Sequence, residues 1–290
     1  MSDPAQPQFL LTIDLEDWYQ TFGDLFGGSS DVRPDVMQRQ LDRIMDLLGR
    51  HRLRATFFVL GKSFEKHPHF VKRVADAGHE IATHGWGHEP LPKIGLEAFR
   101  KDLRRSMDWL SDLTGRPVLG YRAPIFSVRE QELEQFYDIC FEEGLRYDSS
   151  VFPFPGRRYG IPSAAREPRV VRNSAGRRLV EMPLATVNWA GRRWPVAGGV
   201  QWRLLPRAAL SGAFRRLAAE GVPGTTYFHP YEFDPRWLNF ARAAGWSFGS
   251  VKRWFFQSVL RFTLYRKVDR LAGQFRFGAV EDYLRGAGLL

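Results

Sequence analysis

Before residue 150 the chain alternates between short apolar segments and longer stretches with helical periodicity. Phe9–Asp14, Ala55–Leu60, Glu80–Thr83, Pro117–Tyr121 and Leu145–Asp148 read as strands. Segments 36–48, 70–77, 96–113 and 130–143 read as the helices between them, with Gly78, Gly115 and Gly144 as stops. Continuous apolar strands of this length suit a parallel sheet buried on both faces. Strand then helix, repeated, implies right-handed crossovers, so a parallel α/β barrel or an open doubly wound sheet is expected. In either fold, ligands collect at the carboxyl ends of the strands. The polar residues just after each apolar run therefore carry the functional reading.

The first run ends in Asp14-Leu-Glu16-Asp17. Carboxylates this close repel one another unless a cation or a shared proton holds them. The third run ends in Thr83-His84-Gly-Trp-Gly-His88. Two histidines at this spacing can meet on one ion, and imidazole suits zinc and other late first-row metals. The fourth run leads to Arg122, whose guanidinium can orient a carboxylate through paired hydrogen bonds. A later apolar run, Thr225–His229, ends in His229, a general-acid candidate because its ordinary pKa lies near neutrality.

As a set these stretches resemble the NodB-homology polysaccharide deacetylases, carbohydrate esterase family 4. The resemblance is carried by Leu11-Thr-Ile-Asp-Leu-Glu-Asp, Ala55-Thr-Phe-Phe-Val-Leu-Gly, His79-Glu-Ile-Ala-Thr-His-Gly-Trp-Gly-His, Gly120-Tyr-Arg-Ala-Pro, Tyr147-Asp-Ser-Ser and Tyr227-Phe-His-Pro, in the family order. Residues 197–206, 229–235 and 275–278 resemble the subgroup found with exopolysaccharide and exosortase loci, which has a C-terminal extension. The resemblance implies a distorted parallel (β/α)7 barrel in one domain. It would span residues 1–240, with a loop-rich insertion at 153–200 and a helical extension at 241–290. It implies hydrolysis of N-acetyl groups on an N-acetylhexosamine glycan, with a divalent metal, zinc first and cobalt, nickel or iron as alternatives.

Carried over, Asp14 is the base, Arg122 its orienting partner, His229 the acid, and His84 and His88 metal ligands. The third ligand stays open. The usual first motif has adjacent aspartates, whereas here Glu16 or Asp17 can serve; strand alternation favours Glu16 by placing it on the side of Asp14. A second departure is Gly85, where many members carry Ser or Thr to support the ligand loop.

The sole cysteine, Cys140, lies in an apolar helical run and reads as buried. The net charge of +10 comes with no nucleic-acid-binding signature, so nucleic acid is not an expected partner. No secretory leader pattern is visible at the N-terminus, which predicts a cytoplasmic protein. The basic, aromatic segment 250–270 adds an expectation of peripheral membrane contact. Trp18, Trp86, Trp189, Trp194 and Trp202 are candidates for stacking on sugar rings, although a core position is the commoner one for Trp. Other functions open to such a chain are an amidase acting on a non-sugar acylamide and an inactive glycan-binding barrel.

Overall fold

A computed structural model describes residues 8–17, 32–156, 159–236, 255 and 258–290. Its framework is a seven-stranded sheet built largely from the predicted apolar runs. Strand β1 (Phe9–Leu10) leads into β2 (Thr12–Leu15), and β3 (Thr56–Val59), β4 (Glu80–Thr83), β5 (Gly120–Tyr121) and β6 (Tyr147–Asp148) follow in order. From β2 onward each pairs in parallel with the next, with Thr12 beside Thr56, Thr56 beside Glu80 and Thr83 beside Tyr121, while β1 belongs to a separate small sheet. This register brings the carboxyl ends of β2, β4 and β5 to one level.

The crossovers are amphipathic helices. In α1 (Pro34–His51), Met37, Leu41, Ile44, Leu47 and Leu48 are buried. Pro34 opens the helix where its missing N–H costs nothing, and Arg52 closes it in the left-handed region. Helices α2 (Gly61–Phe64) and α3 (His69–Asp76) follow β3. Helix α4 (Leu91–Thr114) starts one turn earlier than its periodicity predicts, because the chain kinks at Gly95 and continues. Cys140 is buried in α5 (Leu133–Glu142), as its apolar surroundings imply.

The stretch 153–200, expected to be loops and irregular strands, holds more order than that. Strands β7 (Arg169–Arg172) and β8 (Arg178–Glu181) form an antiparallel pair, and β8 joins the main sheet in parallel with β6. A second hairpin, β9 (Thr186–Trp189) with β10 (Arg192–Pro195), follows. Helices α6 (Gly199–Leu204) and α7 (Arg207–Glu220) then lead to β11 (Gly224–Thr225). At and just after β11, single parallel bridges join Thr225 to Leu184 and Phe228 to Ile13, linking the β8 flank to the β2 flank.

Near the chain end come α8 (Arg261–Ala272), β12 (Phe277–Gly278) and α9 (Val280–Gly286). Val280 and Leu284 of α9 pack on Leu10, Phe58 and Tyr147. The first N–H groups of α9 go to Thr56 Oγ1 and Glu80 Oε2 at 2.8 and 3.0 Å. Within 250–270, residues 250–254 and 256–257 lie outside the described residues, as does Trp18. Helix α8 turns Leu264, Val268 and Leu271 into the core. Among the described residues no helix is long and apolar enough to cross a membrane.

Candidate active site

Side chains alternate along β2, so Asp14 and Glu16 leave its end on one side. Asp14 is 2% exposed and its Oδ1 lies 2.6 Å from Arg122 Nη1. Arg122 is fully buried, and the same Nη1 donates to Thr12 Oγ1 at 2.7 Å. Its Nε and Nη2 donate to the backbone oxygen and hydroxyl of Ser149, just past β6, at 3.2 and 3.0 Å. The guanidinium also stands 4.0 Å from the ring centre of Phe58. A buried charge tolerates burial when its donors are used in this way. The result is a carboxylate whose direction is fixed by a rigid cation.

Glu16 meets the two histidines. Its Oε2 lies 2.9 Å from His88 Nε2, and ligand atoms of Glu16, His84 and His88 all lie within 4.8 Å of one another. His84 Nδ1 faces the carbonyl oxygen of Arg122 at 2.8 Å. A carbonyl only accepts, so Nδ1 carries the proton and Nε2 keeps its lone pair for a ligand role. Burial outweighs the nearby carboxylates at His84 and lowers its pKa, which keeps the ring neutral. At Glu16, burial alone would raise the pKa. The charge and hydrogen bond of His88, with His229 and His84 beside it, overcome that and hold the carboxyl at about 2. His88 moves upward: Glu16 outweighs the opposing effect of burial. A buried carboxylate and two imidazoles converging on one point is a donor set that fits a divalent transition metal. Asp17, the alternative third ligand, is buried but turned toward the Arg33 N–H, 3.5 Å away, and stands outside this cluster.

The ligand loop has support that its sequence did not reveal. Asp102, on α4, accepts the N–H groups of Trp86 and Gly87 at 2.7 and 2.8 Å. Thr83 Oγ1 accepts the Gly85 N–H at 3.0 Å, and Ser106 Oγ donates to the Gly85 carbonyl at 3.1 Å. Gly85 has φ +79°, and a Cβ there would stand 2.7 Å from Asp102 Oδ2. The missing hydroxyl at position 85 is thus accompanied by a carboxylate arriving from the neighbouring helix.

His229 follows Phe228 and enters a 3₁₀ turn, Pro230–Phe233. Glu232 accepts both the backbone N–H and the Nδ1–H of His229 on Oε2, each at 3.1 Å. That leaves Nε2 toward the cavity, 3.3 Å from Glu16 Oε1, while the ring stacks on Tyr231 with centres 5.2 Å apart. Burial opposes the charge on this ring, but the hydrogen bond and charge of Glu232, then Glu16 and Asp14, raise its pKa from 6.5 to about 9. Arg203, on α6, sits 3.5 Å from Glu232, and both are 1% exposed.

Asp14, Glu16, His84, His88, His229 and Glu232 all border one cavity of about 350 Å³, with Arg122 directly behind Asp14. The sequence reading missed Glu232, Arg203 and Asp102. Glu232 left a trace, since its spacing of three from His229 is that of a capping box. Two of the tryptophans take the core position that is commoner for this residue. Trp202 is fully buried and donates Nε1–H to Val196, and Trp86 packs against Trp109 under Arg105. Trp189 and Trp194 are exposed on the β9–β10 hairpin, away from the cavity lining. The aromatic walls are instead Phe126, Tyr159, Tyr227 and Tyr231.

Residues 16–136 match a family model described as polysaccharide deacetylase, and residues 149–285 match one described as a domain of unknown function (DUF3473). A peptidoglycan-N-acetylglucosamine deacetylase of Bacillus cereus is 35% identical over 92 residues, 32% of this chain and 34% of that protein. A chitooligosaccharide deacetylase of Rhizobium leguminosarum bv. trifolii is 41% identical over 64 residues, 22% of this chain and 30% of that one. The matched region spans about a third of the length of these curated relatives. In fold, the chain is similar to a Mycobacterium smegmatis structure described as a polysaccharide deacetylase: TM-score 0.60, 20% identity, 100% of this chain and 92% of that one. It is also similar to Puue allantoinase, with TM-score 0.62, 15% identity, and 98% and 91% covered.

Proposed function

We propose that this chain, whose residues 16–136 match the polysaccharide deacetylase family model, hydrolyses the N-acetyl group of N-acetylhexosamine units in a glycan. The observation that carries the reading is the meeting of three separate functions around one cavity. These are a carboxylate held by a buried arginine, a Glu-His-His donor set, and a histidine with Nε2 directed inward.

In this reading Asp14 accepts the proton of the attacking water. Arg122 fixes its direction, so the base meets the water without a rotamer search. Glu16, His84 and His88 hold a divalent metal, which when bound polarises the acyl oxygen and makes water a better nucleophile at neutral pH. His229 gives its Nε2 proton to the leaving nitrogen, because an amine departs far more readily than its anion. Glu232 keeps the Nδ1–H engaged and the ring turned inward. The aromatic walls suit the apolar faces of sugar rings.

The finer expectations belong to the same proposal. Closure of the sheet into a distorted barrel is supported by the bridges at Phe228 and Thr225. Zinc is the metal of choice for this donor set. A role in exopolysaccharide biosynthesis rests on the subgroup-like stretches 197–206, 229–235 and 275–278. Peripheral membrane contact rests on the exposed Phe255 and Phe262 near and on α8.

The test is acetate release from N-acetylglucosamine oligomers by the zinc-loaded chain, beside small non-sugar acylamides and a chelator control. Chelator-sensitive release from the oligomers is the expected result. Release only from the non-sugar amides makes the chain an amidase of another class, and no release from any substrate overturns the hydrolase reading.

A further inference from the structure

The acid side of the cavity comes from a different part of the chain than the metal side. Glu16, His84, His88 and Arg122 lie within residues 16–136, with Asp14 just before them, whereas Arg203, His229 and Glu232 lie within residues 149–285. Helix α8, in that second segment, places two cations beneath the acid side.

Lys267 Nζ donates to the carbonyl oxygens of Trp202, Arg203 and Leu205 at 2.9, 2.7 and 2.9 Å. These carbonyls end α6, where a helix leaves its last acceptors without internal partners. All three ammonium hydrogens are used, and a cation there also faces the negative end of the helix. Six residues earlier on α8, Arg261 is 3% exposed and its Nη1 donates to the Tyr231 carbonyl at 3.2 Å. Tyr231 lies between His229 and Glu232 in the 3₁₀ turn. The Arg203–Glu232 pair joins the two clamped pieces. The contacts therefore form a closed circuit: α8 through Lys267 to α6, Arg203 to Glu232, and the turn back through Arg261 to α8. Arg261 is buried and Lys267 partly so, and placing cations against carbonyls is a costly way to fill space, which an apolar side chain would do with less desolvation. Fixing the direction of a polar group is what such an arrangement adds.

We propose that α8 is a positioning element for the general acid: Lys267 and Arg261 fix Arg203 and the 230–233 turn, so that Arg203 holds Glu232 and Glu232 holds His229. The inference rests on the deacetylase reading and gives the segment 149–285 a role in it.

Two substrates test it. An N-acetylglucosamine oligomer loses an amine, which needs a proton on departure. 4-Nitrophenyl acetate loses a stabilised phenolate, which does not. Lys267→Met keeps the apolar stem and removes the three donors. It lowers kcat on the oligomer about 10–100-fold, the size expected of a small displacement of a catalytic group. KM, metal content and the rate on the aryl acetate stay near those of the unaltered chain, and Lys267→Arg recovers part of the loss. In the Glu232→Gln background, Lys267→Met adds little, because both act through the same histidine. An equal fall on both substrates, or no fall on the oligomer, overturns the inference while the deacetylase reading stands. An unaltered chain that cleaves neither substrate overturns that reading and this inference with it.

Discussion

Asp102→Ala removes the carboxylate that accepts two N–H groups of the loop between His84 and His88. A hydrogen bond to a charged group contributes about 1.5–3 kcal/mol. Asp102 is partly exposed, which places both bonds at the low end, about 3 kcal/mol together. The loop carries two metal ligands, and loss of a group that supports ligands typically weakens binding about 10–100-fold. Asp102→Asn keeps one acceptor and turns an NH₂ toward the other donor, so it falls between. The same carboxylate explains Gly85. Gly85→Ser places a side chain at φ +79° and a Cβ 2.7 Å from Asp102 Oδ2. The backbone term costs about 1–2 kcal/mol, and displacing the carboxylate also breaks its two bonds. In the Asp102→Ala background the clash disappears and only the backbone term remains. The assays are urea unfolding of the metal-free protein and metal affinity by competition with a chelator. Metal affinity unchanged in Asp102→Ala, or strictly additive effects of the two substitutions, refutes the account of this loop.

His229→Ala keeps its metal while kcat on the oligomer falls about 10²–10⁴-fold, the usual range for general acid–base assistance; steady-state kinetics with metal analysis checks both halves. Because the His229 pKa is raised to about 9, its protonated form persists above 6.5 and is lost as pH rises through about 9. The pH profile of kcat therefore falls on the alkaline side near there, and Glu232→Gln moves that limb to lower pH. Arg122→Met leaves Asp14 buried without its countercharge and costs about 3–5 kcal/mol in urea unfolding.

The alternation of strand and helix was legible because buried parallel strands are written as short, mostly apolar runs, as in Ala55–Leu60. Asp14, Glu16, His84, His88, Arg122 and His229 were legible because each follows such a run, and the structure brings them together. The choice between Glu16 and Asp17 needed the backbone path after Leu15, which residue types alone do not give. Strand β8 escaped because its four residues, Arg178–Glu181, have charged ends and no helix before them. Asp102, Arg203 and Lys267 escaped for another reason. Each sits on a helix where a charged residue ordinarily faces water, and only the packing of one helix against a distant loop turns it to account. The tryptophans could not be assigned one by one, because a large aromatic near predicted loops is as compatible with a core position, taken by Trp202, as with a ligand platform.

The central claim is that Glu16, His84 and His88 form a metal centre. Metal content per chain after zinc reconstitution tests it directly, measured on the unaltered protein with Glu16→Ala and Asp17→Ala beside it. The account predicts a single bound ion in the unaltered protein, lost in Glu16→Ala and retained in Asp17→Ala. Retention in Glu16→Ala, or no ion in the unaltered protein, contradicts it.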